Sequence, residues 1–167
     1  MILALAAAGT VRAQAQAPQY PCEQNERFAE FDFWIGDWEV HGPKGKLAGS
    51  NSIMSREHGC VLTESWTGAS GVTGMSINYL DHATGEWVQV WNDSSGSQIN
   101  IRGGLTDDGM LLVGTIHYVA SNQTVPFRGL WTQLDDGRVR QFFEQYDAEN
   151  DAWNTWFEGF YTRKAAE

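Results

Sequence analysis

Basic residues are scarce in this chain, and nowhere do more than two stand close together. Eleven lysines and arginines face 21 aspartates and glutamates, for a formal net charge of −10 and a pI near 4.7. With no Lys/Arg cluster, the chain would be repelled by a nucleic acid or an anionic membrane surface, and neither is expected as a partner. His41, His58, His82 and His117 are isolated in sequence, and Cys22 and Cys60 are the only cysteines. No metal-type Cys/His spacing arises from them, so no metal is expected. Gly-x-Ser-x-Gly, a phosphate-binding glycine loop and His-Glu-x-x-His are all missing, which removes the common hydrolase, nucleotide and zinc-protease readings. Nothing asks for a cofactor. Asp147, Glu149, Asp151 and Glu158 match part of a calcium loop, but Ala152 stands where that loop needs glycine, and Trp153 should already be strand.

A membrane-spanning run is lacking too. Met1–Val11 is apolar but falls short of the ~20 residues a helical span needs. The steps Ala13-Gln14-Ala15 and Ala15-Gln16-Ala17 follow it, and Ala-x-Ala is what a signal peptidase accepts. Residues 1–17 are therefore expected to be a signal peptide. A basic stretch before the apolar run is absent and Arg12 lies on its far side, as expected if the start is truncated. Export to the periplasm or beyond would make Cys22 and Cys60 a candidate disulfide, the alternative being two buried thiols. No membrane insertion is expected once the leader is removed.

Aromatic residues and glycine are abundant: eight Trp, eight Phe, five Tyr and 18 Gly suit short strands and tight turns better than helices. Residues 18–30 read as a polar lead-in with a short turn of helix near Glu26–Glu30. The stretch Phe31-Asp32-Phe33-Trp34-Ile35-Gly36-Asp37-Trp38 then reads as a plug that enters a sheet and closes one end of its core. From Trp38 onward the segments alternate between apolar and polar and keep no helical period. Strands are expected near Trp38–His41, Ala48–Glu57, Cys60–Thr67, Thr73–Leu80, Trp87–Asn92, Ser97–Gly103, Met110–Tyr118, Pro126–Leu134, Arg138–Tyr146 and Trp153–Arg163. Turn residues separate them, above all Asp107-Asp108-Gly109 and Asp135-Asp136-Gly137. Val119–Val125 stands out as a longer connection, a candidate rim loop. Consecutive hairpins make an antiparallel meander, and about ten such strands close most economically into a barrel, because closure removes exposed edges. The expected fold is all-β: a single up-and-down barrel domain over residues 31–167, with a two-sheet sandwich as the alternative.

A barrel of this width has room for a ligand. On one strand Trp87, Gln89 and Trp91 share a face, opposite Val88 and Val90, and if that face points inward it makes an aromatic lining with polar groups. Trp66, Trp131, Gln141 and Phe143 are candidates for the same lining, and Ser76 and Asn78 are further ones. The alternative is that these side chains pack the barrel in layers. Glu64 lies between Leu62 and Trp66 on its own face, where burial would raise its pKa and fit it for general acid–base work. Its alternative is an ion pair with Arg128 or Arg102 inside the barrel. Arg128 is equally placed to hold a ligand carboxylate.

The stretches Phe31–Trp38, Gly59-Cys60-Val61-Leu62 with Glu64 and Trp66, Gly85–Trp91 with Asp93, Asp136–Gln141, and Gly159–Arg163 resemble an uncharacterised bacterial family of exported proteins, domain of unknown function 1579, similar to the calycin-type barrels. Likeness to lipocalins implies that the Gly-x-Trp of the first strand is met by a late arginine stacked on the indole, here Trp38 and Arg163. Fatty-acid-binding proteins and haem-binding nitrobindins share the barrel. Nitrobindins take haem through a histidine on a late strand, and Arg138–Tyr146 and Trp153–Arg163 contain none. The function expected is binding of a small apolar or amphipathic molecule without turnover. The alternatives are an enzyme performing an isomerisation, cyclisation or hydrolysis with Glu64 as acid or base, and an interaction module with a filled interior.

Overall fold

The structure, a computed structural model, describes residues 19–165. The expected leader, residues 1–17, lies outside the described residues. Alternation of side chains across each strand and Gly, Asp or Asn at each turn produce ten strands, β1 (Gly36–His41), β2 (Leu47–Arg56), β3 (Val61–Gly68), β4 (Thr73–Asp81), β5 (Glu86–Asp93), β6 (Ser97–Thr106), β7 (Gly109–Tyr118), β8 (Gln123–Gln133), β9 (Val139–Asp147) and β10 (Ala152–Arg163). Each pairs antiparallel with the next, and β1 pairs with β10, so the sheet closes into an up-and-down barrel without a free edge. The segment Val119–Val125 is not a long rim loop. The β7–β8 pairing runs out to Tyr118 opposite Gln123, leaving a tight turn in which Asn122 takes a positive φ of 54°. Among the described residues no helix is long and apolar enough to cross a membrane.

Three short 3₁₀ turns, Pro21–Gln24, Glu26–Ala29 and Asp32–Trp34, precede β1 and form the plug. Its anchors are apolar. Phe28, Phe31 and Trp34 are buried, and the Phe31 ring lies 5.0 Å from Trp34, 5.2 Å from Trp131 and 5.7 Å from Trp87. Polar contacts fix the plug's orientation: Trp38 Nε1 donates to Trp34 O at 2.9 Å, Trp87 Nε1 to Glu30 Oε2 at 3.0 Å, and Arg27 Nη2 to Gly85 O at 2.6 Å. A disulfide joins Cys22 to Cys60 across 38 residues and ties the plug to the start of β3. Chain entropy assigns a crosslink of that span an upper value of roughly 4 kcal/mol. Such a bond persists in oxidising compartments rather than the cytosol.

Closure sets Trp38 directly opposite Arg163, so both side chains belong to one face. The guanidinium sits 4.3 Å from the indole centroid and donates to Ile35 O at 3.0 Å. Gly36, at φ 145°, leaves the space that the arginine occupies, since a Cβ there would collide with Nη1. Arg163→Ala is expected to lower stability by about 1–2 kcal/mol, the sum of a cation–π contact and a charged hydrogen bond at a partly wet site. Arg163→Lys should recover less than half, because lysine lacks the planar fork. Urea unfolding measures both, and an alanine variant within about 0.3 kcal/mol of wild type would assign the pair no role in closure.

Candidate functional site

Inward-facing residues divide the barrel into three layers. The plug end is filled by aromatic and aliphatic side chains, including Phe31, Trp34, Trp38, Trp87, Met110, Leu112 and Trp131, all almost wholly buried. Midway lies a layer of buried polar side chains: Asn51 on β2, Glu64 on β3, Ser76 and Asn78 on β4, Gln89 on β5, Gln141 on β9 and Tyr161 on β10. Beyond it, toward the opposite end, lies a cavity of about 130 Å³.

The polar layer is one connected chain. Tyr161 donates to Gln141 Oε1, and Asn51 Nδ2 donates to Tyr161 Oη at 3.3 Å and to Glu64 Oε1 at 2.6 Å. Ser76 Oγ donates to Glu64 Oε2 at 2.7 Å, Asn78 Nδ2 to Ser76 Oγ at 2.8 Å, and Gln89 Nε2 to Asn78 Oδ1 at 2.9 Å. Burial dominates at Glu64 and lifts its pKa from 4.5 to about 7, although the bonds from Ser76 and Asn51 pull the other way. Ser76 Oγ has two lone pairs, so beside the bond from Asn78 it can also accept from a neutral Glu64. Burial, and then the Glu64 charge, push the Tyr161 phenol well above its ordinary value. Among the described residues, Gln89 Oε1 and Gln141 Nε2 have no hydrogen-bond partner, and both side chains line the cavity. An acceptor oxygen and an amide nitrogen thus stand at the cavity wall for an occupant, and within the layer Asn51 Oδ1 is also without a partner.

The cavity walls are aromatic. Trp66, Trp91, Phe143, Trp156 and Phe157 surround it with Ile99, and Val72 stands at the mouth. Phe157 lies 6.1 Å from Trp66 and 6.4 Å from Phe143, and Trp156 lies 6.2 Å from Phe143, a continuous arc of rings. The arc stays open because inward glycines sit beneath it. A Cβ on Gly74 would strike the Trp91 ring, one on Gly129 would strike Phe143, and one on Gly49 would strike Trp66 and the backbone of Thr67. With no side chain below them, the rings lie along the wall instead of crossing the lumen. Asp93 completes the lining: burial raises its pKa, but bonds from the Ser95 and Ser97 amides and the Ser95 hydroxyl outweigh this, and the net shift is downward.

Of the residues singled out from the sequence, Glu64, Trp66, Gln89, Trp91, Gln141 and Phe143 come together around this cavity. The Trp87/Gln89/Trp91 face does point inward, but Trp87 lies one layer deeper, against Phe31, and Trp131 packs there with Phe31 and Trp34. Both belong to the plug packing and do not line the cavity. Arg128 is outside the barrel. Its neighbours Phe127 and Gly129 face inward, so it faces out, pairing with Glu144 at 2.7 Å and lying 4.3 Å over Trp153. Arg102 is also outside, paired with Glu86 at 3.2 Å. Neither arginine meets Glu64, which is held by neutral donors only. The sequence reading missed Asn51, Tyr161, Trp156 and Phe157. Asn51 and Tyr161 sit at the right parity on their strands for an inward position. Trp156 reaches the mouth because a bulge between Thr155 and Phe157 shifts the β9–β10 register.

Neither a scan against protein-family models nor a search of curated proteins found a match to this chain.

Proposed function

We propose that the protein is an exported barrel, periplasmic or secreted, that holds one compact apolar or amphipathic molecule in its open half without turnover. The observation that carries this reading is an aromatic-walled cavity ending on a buried polar layer in which Gln89 Oε1 and Gln141 Nε2 line the cavity without a partner. The disulfide supports export. The closed barrel and the Trp38–Arg163 pair support a place among the calycin-type barrels, as in domain of unknown function 1579. The volume bounds the ligand: an apolar cavity of about 150 Å³ takes a benzene ring, so about 130 Å³ holds a small molecule or the head of a longer one. A whole lipid does not fit.

Acid–base turnover is the second reading, favoured by one observation, the Glu64 pKa of about 7 at the cavity floor. A filled interaction module draws no support from a barrel with this cavity. Native mass spectrometry of protein purified gently from its own host tests the leading reading, together with titration of tryptophan fluorescence by benzyl alcohol. The expected results are a stoichiometric small molecule and saturable quenching, since Trp66, Trp91 and Trp156 all line the cavity. No released molecule and no saturable quenching at millimolar probe would overturn it. Glu64→Gln separates the two readings by turnover: an enzyme keeps binding and loses rate, whereas a carrier has no rate to lose.

A further inference from the structure

The cavity has a charge character that its apolar walls conceal. Among the described residues its lining contains no Lys, Arg or His, but it does contain two carboxyl groups, Glu64 at the floor and Asp93 near the mouth. A fatty acid or any other carboxylate ligand would enter without a countercharge and against both groups. A cation would meet the opposite conditions. The rings of Trp66, Trp91, Trp156 and Phe157 line the cavity, and indole is the strongest aromatic partner for a cation. The chain's net charge of −10 would raise cation concentration at the surface. A primary ammonium or metal ion is strongly hydrated and would give up much of that hydration among aromatic walls, whereas an alkylated ammonium carries the same charge inside apolar methyl groups.

We propose that the ligand is a small organic cation, an alkylated or quaternary ammonium, held near the mouth by Trp66, Trp91 and Trp156 and by the charge of Asp93, with Glu64 adding a longer-range attraction from the floor. Gln89 Oε1 and Gln141 Nε2 then receive a neutral polar group at the other end, such as a hydroxyl. A zwitterion with a carboxylate at that end is disfavoured, because no cation waits for it. This deepens the ligand-binding reading and rests on it.

Choline and its neutral carbon isostere 3,3-dimethyl-1-butanol have the same shape and differ in charge, so calorimetric titration of the folded protein with each, at pH 8, isolates the charge. Choline is expected to bind at least tenfold more tightly than the isostere, and glycine betaine more weakly than choline. Affinity for choline, but not for the isostere, should fall as pH drops from 8 to 6. The groups facing Glu64 are Asn51, Ser76 and Tyr161, of which only Tyr161 titrates, and it does so far above this range. A bound cation favours ionised Glu64, and that form is lost as pH falls through about 7. Trp156→Leu, at the half-open rim, should cost choline about tenfold and the isostere no more than a few-fold. Equal or tighter binding of the isostere overturns the cation while leaving the cavity as a ligand site. If choline, the isostere and benzyl alcohol all fail to bind at millimolar concentration, the ligand-binding reading falls as well.

Discussion

Replacing Glu64 by glutamine is expected to stabilise the protein at pH 8 by up to roughly 3 kcal/mol, a large gain from one buried substitution. In the unfolded chain this carboxyl titrates at its ordinary value of 4.5, and in the folded barrel burial raises that to about 7. Between those values the folded state binds more protons than the unfolded one, so stability falls as pH rises from 4.5 toward 7 and is level beyond it. The span of 4.5 to 7 corresponds to roughly 3 kcal/mol. Glutamine keeps most of the network, since its Oε1 accepts from Asn51 and its Nε2 donates to Ser76 Oγ beside the bond from Asn78, and the lost acceptor for the Ser76 hydroxyl sets the gain below its upper value. It carries no charge to desolvate. Asp93, whose pKa is lowered, acts in the opposite direction and only in acid, where both proteins share its loss. Urea unfolding from pH 5 to pH 8.5 should show wild type declining up to about pH 7 and level above it, while the variant does not show this decline. Parallel profiles would mean that Glu64 remains ionised in the fold, and the mid-barrel layer would then be wetter than its burial indicates.

The ten strands were readable because two local signals agree along the whole chain. Asp107-Asp108-Gly109 and Asp135-Asp136-Gly137 mark turns by their backbone chemistry, and the residues between turns alternate with a period of two. Parity also sends Glu64, Gln89 and Gln141 to the same side of the sheet. Depth is another matter. Trp87 and Trp91 have the same parity on one strand, yet one packs against the plug and the other lines the cavity, because height along the barrel depends on how the strands stagger at closure. Arg128 shows the reverse: its position between Phe127 and Gly129 already directs it outward, and the appeal of a countercharge for Glu64 ran against that parity. Asn51 and Tyr161 meet only because the last strand returns to the first, a contact between residues 110 apart in sequence. No local pattern announces it. The bulge that delivers Trp156 to the mouth inserts one residue into β10, and alternation on either side looks unbroken when each part is read alone.

Gly74→Ala is expected to abolish ligand binding while the barrel still folds. The added methyl would occupy the space where the Trp91 ring now rests, and the contact atoms are Cζ2, Cη2 and Cε2, the far side of a rigid bicycle. Neither rotation within the ring plane nor a small sidestep clears it, so the indole must leave the wall. Trp91 borders the cavity of about 130 Å³, and an indole displaced into that space removes the room for a ligand of comparable size. Overpacking of this kind costs about 1–3 kcal/mol, within what a disulfide-linked domain tolerates. Gly49→Ala should be worse for folding, since its methyl meets the backbone oxygen of Thr67 on the paired strand as well as Trp66, and strands cannot part without losing ladder bonds. Gly104→Ala is the matched control: nothing lies within 4 Å of its added methyl, and it should leave both stability and binding within about 0.5 kcal/mol of wild type. Thermal unfolding and quenching by benzyl alcohol read the two effects separately. If Gly74→Ala binds the probe as wild type does, the ligand does not sit beside Trp91, and the site would have to be sought outside this cavity.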